Sequence, residues 1–178
     1  MKLTKRLLAM ALAGVMLLTI LTGCGGKSGD RLVEEYLAAY YHSLNIYKGI
    51  PITTNDVPEI KTVADMFETS ETSWLKADGS WAFSSRNPDD PRYKALRDVF
   101  SKYSSGYTVN LYAFEVDSKQ SELNQAMRVM SPADHGLSVY PPSGSTYAIQ
   151  CATRLVTREN KSYRIVVIIY DHHAVAVG

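Results

Sequence analysis

The sequence predicts an α+β fold in which N-terminal helices pack on a curved antiparallel sheet. Two observations lead to this prediction. Apolar residues recur at helical spacing through the first half of the chain after its leader, whereas the last third contains long β-branched and alternating runs. Helices and strands therefore occupy separate parts of the chain, an order typical of helices packed on one face of an antiparallel sheet.

The first residues are predicted to be a lipoprotein signal peptide rather than part of this fold. A short basic stretch, KLTKR, precedes an apolar run over residues 7–22. This is the composition of a secretory signal, and the run is shorter than a typical spanning helix. The letters LTGC at positions 21–24 resemble the bacterial lipobox. The resemblance implies cleavage after Gly23, acylation of Cys24, and attachment to the outer face of the bacterial cell membrane.

The remaining chain is predicted to comprise a flexible lipidated tether, residues 24–29, and one α+β domain, residues 30–178. Removing residues 1–23 leaves 155 residues, a single-domain length. The remaining 16 basic and 18 acidic side chains give a formal charge of −2, so no nucleic-acid partner is expected. Cys151 has no second cysteine to pair with and is expected to be a buried, unreactive strand residue.

Three helices are predicted in the first half of the domain. The first begins near Asp30, which is expected to cap it, and ends near Gly49. Its apolar face is rich in tyrosine and is expected to border a polar cavity, because each buried hydroxyl needs a partner. A second helix is predicted to begin at Pro58 and a third at Pro91, since proline suits the first helical turn. The apolar face of the first helix consists of Leu32, Val33, Tyr36, Leu37, Tyr40, Tyr41, Leu44 and Tyr47.

The second half of the domain is predicted to form the sheet. Residues 107–116 alternate as a strand does, but the apolar parity switches near Ala113, which predicts either a bulge there or burial of both faces. The stretch 119–144 is predicted to hold a short helix and then a long loop. Two long strands, residues 145–157 and 163–177, are predicted to pair as a hairpin around the polar turn RENKS.

The order of elements resembles the NTF2-like (SnoaL-like) family. The similarity is carried by EEYLAAYYHSLN in the first helix and by YAIQCATRLVTRENKSYRIVVIIY in the closing hairpin. The stretch 119–144 departs from the family pattern, because it interrupts the sheet. The resemblance implies a cone-shaped sheet around a cavity and a domain that binds rather than catalyses, as many members do. It also implies Asp and His as the residue types for any acid–base chemistry.

The letters YDHH at the end of the last strand are the clearest candidates for a chemical site. Asp171-His172-His173 is similar to the motif of the DHH phosphoesterases, which bind Mn²⁺, but the acidic motifs that accompany it in that family are missing upstream. A metal site is not expected. Neighbouring side chains on a strand point to opposite faces, so His172 and His173 cannot both bind one ion, and zinc needs at least three protein ligands. The other candidate ligands are distant in sequence: His42, Asp134 and His135.

Asp171 and His173 share the more apolar face of the predicted strand. An Asp and a His on such a face need hydrogen-bond partners or water, which predicts either a polar strand end or a polar pocket. A His beside a carboxylate can act as a general base, so these two residues are the candidate catalytic pair. Four aromatic residues are candidates for ligand binding, and the alternative interpretation is that their side chains pack in the hydrophobic core. They are Tyr36, Tyr40, Trp74 and Trp81.

The expected function is a non-enzymatic binding or interaction module, held at the membrane by lipid on Cys24 and needing no cofactor. Its partner would be a small ligand, a peptide or another envelope protein. Two alternatives remain open. An enclosed pocket around Asp171 and His173 would favour a small cavity enzyme that uses this acid–base pair. A large exposed apolar patch would favour a structural subunit of an envelope or conjugation complex.

Overall fold

Four α-helices and a five-stranded sheet are present in the residues that the structure describes, so the predicted α+β class is confirmed. The structure is a computed structural model, and it describes the following residues: 28–54, 57–117, 119–131 and 136–173. The signal peptide, Cys24 and most of the tether lie outside the described residues, as do Asp134 and His135. The helices are α1 (Gly29–Ser43), α2 (Glu59–Thr69), α3 (Pro91–Val99) and α4 (Glu122–Met130); the strands are β1 (Ile52–Thr54), β2 (Tyr107–Val116), β3 (Gly136–Tyr140), β4 (Ala148–Arg158) and β5 (Lys161–Asp171).

The sheet has the strand order β1-β4-β5-β2-β3 and is mixed. β1 runs parallel to β4, whereas the other neighbouring strands are antiparallel. The prediction of a purely antiparallel sheet is therefore wrong at this edge. β1 contains only three residues, Ile52–Thr54, and such a short strand shows no recognisable alternation in the sequence.

Helices cover both faces of the sheet, which corrects the prediction that they lie on one face. α1 and α4 pack on one face; α2, α3 and the segment around Trp74 and Trp81 pack on the other. The reason lies in β5, in which every residue from Arg164 to Ile169 is buried. A strand that is buried on both sides needs cover on both sides. Within the described residues, no helix is both long enough and apolar enough to cross a membrane.

The predicted closing hairpin is confirmed. β4 and β5 pair in antiparallel register as far as Arg158 and Lys161, and Glu159 and Asn160 form a two-residue turn between them. Both turn residues have positive φ angles, 52° and 62°. Two successive positive φ angles match the right-handed twist of the flanking strands, and asparagine adopts this conformation more readily than most residues.

Two predictions for the middle of the sheet have different outcomes. β3 lies in the stretch that was expected to be loop, so that part of the prediction is wrong. For β2, the sequence left two alternatives, a bulge near Ala113 or burial of both faces. The structure confirms burial of both faces. The register of β2 against β3 shifts instead between Val109 and Asn110.

The first turn of α1 is attached to β4 and β5. The prediction that Asp30 caps the helix is wrong, because the hydroxyl of Ser28 accepts the hydrogen bond from the Arg31 N–H. The Asp30 carboxylate instead accepts a hydrogen bond from the Leu155 N–H at 3.0 Å and pairs with the Arg164 guanidinium. A residue that sequence rules assign to local capping thus makes two long-range contacts.

Along part of β4, side-chain carboxylates accept the backbone hydrogen bonds that a neighbouring strand would otherwise accept. β1 pairs with β4 only as far as Cys151. Beyond that point, alternate backbone N–H groups of β4 donate to acidic side chains: Thr153 to Glu34 at 3.0 Å, Leu155 to Asp30 at 3.0 Å, and Thr157 to Glu68 at 3.2 Å. These hydrogen bonds satisfy edge groups that would otherwise be free to pair with a strand of another chain.

Candidate functional site

The end of β5 places Asp171 and His173 on one side of the sheet and His172 on the other. The His173 ring contacts the ring of Tyr107, with centroids 4.8 Å apart, on the side covered by α2 and α3. His172 bonds to Thr108, the next residue of β2. This is the alternation that the sequence predicts for a strand, and it separates the three polar residues into two different environments.

Asp171 and His173 form a pair at the surface. The Asp171 carboxylate lies 2.9 Å from Nδ1 of His173 and also accepts a hydrogen bond from the His173 backbone N–H at 2.8 Å. The exposed fractions of the two side chains are 33% and 53%. A short Asp side chain that binds the backbone two residues later is a common turn arrangement. The structure therefore brings the candidate catalytic pair together, but at an accessible strand end.

His172 joins three segments through both of its ring nitrogens. Nδ1 lies 3.0 Å from the carbonyl oxygen of Ser145, and Nε2 lies 2.8 Å from the hydroxyl of Thr108. A carbonyl only accepts, so Nδ1 carries the proton in the neutral ring. Nε2 can then accept from the Thr108 hydroxyl, which also lies 3.3 Å from the carbonyl oxygen of Pro141 and can donate to only one of the two. The backbone N–H of His172 also donates to the carbonyl of Gly106 at 2.8 Å. Both ring nitrogens therefore have a protein atom within hydrogen-bond distance.

An open pocket of about 400 Å³, which we call the tyrosine pocket, lies beside His172. Its walls come from the segment after α1, from β2, from the end of β5 and from the loop before β4. None of the lining residues is Asp, Glu, Lys or Arg, so the polar groups at the wall are hydroxyls, an amide and an imidazole. The lining residues are Tyr47, Thr108, Asn110, Pro142, Ser143, Gly144, Thr146, Tyr170 and His172.

Three tyrosine rings hold one side of the tyrosine pocket together. The Tyr41 ring packs edge-on against Tyr47 and Tyr170, with centroid distances of 5.5 and 6.0 Å, and the hydroxyls of Tyr41 and Tyr170 are 2.8 Å apart. Burial raises the pKa of Tyr47 and of Tyr170 above the ordinary tyrosine value. Both hydroxyls therefore keep their protons at neutral pH, and the tyrosine side of the pocket stays uncharged.

The four aromatic residues that the sequence offered as ligand-binding candidates lie in two separate places. Tyr36 and Tyr40 are half-buried on α1 and pack against the cluster beneath α1 and α4. Trp74 and Trp81 are 3% and 7% exposed and belong to the cluster on the opposite face, with ring centroids 6.3 Å apart. None of the four lines the tyrosine pocket.

The remaining candidates have no site-like surroundings in the described part of the chain. Cys151 is fully buried, and burial, with a smaller contribution from Glu34, raises the pKa of its thiol to about 12. A thiol with that pKa is a poor nucleophile at neutral pH. Within the described residues, no group of three His, Cys, Asp or Glu side chains is placed to hold a metal ion. His42, the described candidate for a third ligand, is exposed at the end of α1.

The polar cavity predicted beside the tyrosine-rich face is confirmed in part, because Tyr47 lines the tyrosine pocket. Sequence reasoning missed His172 as a lining residue, because it set this residue aside as facing away from the candidate pair. A signal was nevertheless present: Thr108 and Asn110 are polar residues two apart on β2, and Tyr170 and His172 are two apart on β5. Strands that pair antiparallel bring such residues onto one face. Comparisons with known protein families, with curated proteins and with solved structures find no match for this chain. The functional argument therefore rests on the site itself.

Proposed function

We propose that this protein is a lipid-anchored, extracytoplasmic binding module that holds a neutral, hydroxyl-rich ligand in the tyrosine pocket without transforming it. The observation that carries the proposal is the chemistry of the pocket wall, which combines tyrosine rings with uncharged hydrogen-bonding groups. Tyrosine rings bind the apolar faces of a ligand, and a few placed polar groups fix its orientation. A sugar has both kinds of surface.

Two observations favour binding over catalysis: the hydrogen-bond partners of His172 and the position of Asp171 and His173. Both ring nitrogens of His172 are occupied, and the candidate acid–base pair Asp171 and His173 lies at the surface and does not line the tyrosine pocket. A general base has to reach the proton that it removes, and the imidazole among the lining residues, His172, is already within hydrogen-bond distance of Ser145 and Thr108. The enzyme and the structural subunit remain alternative predictions of the sequence.

The NTF2-like fold also remains a prediction of the sequence. In that fold the ligand would lie inside a sheet-lined cone, as the resemblance implies. The tyrosine pocket needs no such cone, because it is formed at one end of the sheet by β2, β5 and the loop before β4.

Removing the Tyr47 ring is expected to weaken binding of a neutral sugar about fivefold or more, since one aromatic contact contributes about 1 kcal/mol beyond the area it buries. Titration of ¹⁵N-labelled protein with N,N′-diacetylchitobiose and with cellobiose should shift the amide signals of Thr108, Asn110 and Thr146. Tyr47→Ala should reduce the affinity, whereas Tyr147→Ala, a 40% exposed tyrosine outside the pocket, should not. Shifts centred on other residues, or equal loss in the two variants, would contradict the proposal.

The anchor is tested separately, through the two cysteines of the sequence. Cys24→Ser is expected to remove the acyl mass from the mature protein and to move it from the membrane fraction to the soluble fraction, because two acyl chains bind a membrane stably. Cys151→Ala is the matched control, since that thiol is buried in the domain and is not part of the LTGC stretch. Membrane retention of Cys24→Ser at the wild-type level would overturn the anchor.

A further inference from the structure

We propose that a second site, at the opposite end of β5 from the tyrosine pocket, binds a small organic anion made of an aromatic ring and a carboxylate. The site is the hairpin-tip cleft, which lies between the β4–β5 turn and the loop over residues 73–79 and encloses about 220 Å³. This inference goes beyond the proposed function, and neither depends on the other.

The cleft has an aromatic wall. Phe67 packs against Tyr163 and against Trp74, with ring centroids 5.2 and 6.2 Å apart, and all three residues line the cleft. A ligand that carries an aromatic ring could add a tilted or edge-on contact to this group of rings, which is the geometry that aromatic pairs prefer. Phe67 and Trp74 are 2% and 3% exposed and lie behind the wall, so the ring that a ligand can contact is that of the half-buried Tyr163. The volume limits that ligand to about one ring with a small substituent.

Arg158 supplies a fixed positive group in this wall. Its side chain is only 13% exposed, and its Nη1 donates to the carbonyl of Phe67 at 3.0 Å. Nε makes a long contact of 3.4 Å with the Glu159 carboxylate. Nη2 makes no hydrogen bond to any residue that the structure describes. A guanidinium held this way retains donor capacity in a planar arrangement that matches a carboxylate.

Trp74 adds a buried donor at the same wall. Its indole N–H is buried and has no hydrogen-bond partner among the described residues. Buried polar groups without a partner are uncommon, and a ligand or an ordered water commonly satisfies them. The accessible unpaired donor of the cleft is therefore the Arg158 guanidinium, whereas the Trp74 N–H is closed off from solvent.

The acidic residues of the cleft are already engaged by bases. Glu115 pairs with Lys161 at 2.9 Å, and Glu159 is the carboxylate near Arg158. Lys76 also lines the cleft and is exposed, which leaves a formal excess of one positive charge among the lining side chains. A ligand that brings acceptor atoms and a negative charge therefore complements the cleft better than a neutral one.

Benzoate and its neutral analogue benzamide test this assignment, with the indole N–H signal of Trp74 in ¹⁵N-labelled full-length protein as the readout. Benzoate is expected to bind with a Kd of about 1 mM, which is typical for a ligand of this size, and benzamide at least tenfold more weakly. Arg158→Gln should raise the Kd for benzoate at least tenfold. Arg154→Gln is the matched control, because Arg154 is an exposed arginine on the same face of β4 and does not line the cleft.

Equal affinity for the two probes, an unchanged benzoate Kd in Arg158→Gln, or no shift of the Trp74 signal at 10 mM benzoate would each overturn the site. If Arg158→Gln does not fold, Arg158→Lys keeps the charge but loses the planar pair of donors, and benzoate affinity should then fall by about threefold to fivefold. The comparison of benzoate with benzamide needs no variant. Sugar binding in the tyrosine pocket should be the same in all of these proteins.

Discussion

Replacing Asp30 by alanine is expected to lower the free energy of unfolding by about 3 kcal/mol or more. Arg164 lies in the centre of β5 with 2% of its side chain exposed, and Asp30 is its ion-pair partner. The Asp30 side chain is 36% exposed but that of Arg164 is buried, so removing the carboxylate leaves a buried guanidinium without its charge partner, which is the costly way to break such a pair. The same change also removes the acceptor of the Leu155 N–H at the edge of β4. Urea denaturation at neutral pH measures the loss.

A double-mutant cycle separates the charge from the packing. Arg164→Met in the Asp30→Ala protein should recover part of the lost stability, because a long apolar side chain removes the uncompensated charge. Asp98→Ala is the control for loss of an exposed acidic residue on a helix, and its effect should stay within about 0.5 kcal/mol. If Asp30→Ala costs no more than Asp98→Ala, Arg164 does not depend on this carboxylate.

Glu34 is expected to make the domain less stable as the pH rises from about 4.5 to 7. Its side chain is 2% exposed, and burial, followed by the nearby Asp30 carboxylate, raises its pKa to about 7. The Thr153 N–H, Arg31 and Arg164 act in the opposite direction, but burial dominates. The folded protein keeps a proton that the unfolded chain loses near pH 4.5, so the stabilisation is present below that pH and is lost as pH rises through 7.

The expected size of this loss is about 3 kcal/mol, from about 1.4 kcal/mol for each pH unit of pKa shift. Glu34→Gln should flatten the dependence of the unfolding free energy on pH across this window, since the amide can still accept from the Thr153 N–H but does not ionise. Glu35→Gln is the matched control, because Glu35 is the next residue of α1 and pairs with Arg31 at the surface. A slope that survives Glu34→Gln, or that disappears in Glu35→Gln, would show that another group is responsible.

The two predictions concern one cluster, and the cluster explains why α1 lies where it does. Its first turns bring Asp30 and Glu34 to N–H groups of β4 that β1 is too short to reach. Gln125 of α4 accepts from Nε of Arg164 at 2.8 Å, so both helices on this face share one buried cation. Each hydrogen bond contributes modestly, but leaving any of these buried groups unpaired would cost more than the bond contributes.

Local patterns predicted much of the fold. The helices of the domain and the closing hairpin follow from apolar periodicity, from proline in first helical turns and from the polar turn at Glu159 and Asn160. Such signals lie within a few residues of the element that they specify, so they can be found in a single sequence. β1 was missed because three residues carry no period, and β3 because its five residues lie between Pro132 and the letters PPSG at positions 141–144, in a stretch with many turn signals.

The parts of the site that follow from local alternation were also within reach of the sequence. Strand parity alone separates His172 from Asp171 and His173, and the structure has that separation. The tyrosine-rich face indicated a polar cavity near Tyr47, but the residues that complete the tyrosine pocket were not within reach, because Thr108 and Tyr170 come from segments far apart in the chain. Their meeting depends on which strands pair and in which register.

The sequence by itself determined where the helices and the long strands form, because periodicity and turn chemistry act over short distances. Only the tertiary structure decided which faces are covered, that Asp30 binds Arg164 rather than capping a helix, and which end of β5 lines which pocket. The physical reason is that a buried polar group takes whichever partner the packing brings to it. That partner is set by the register of the strands and not by neighbours in the chain.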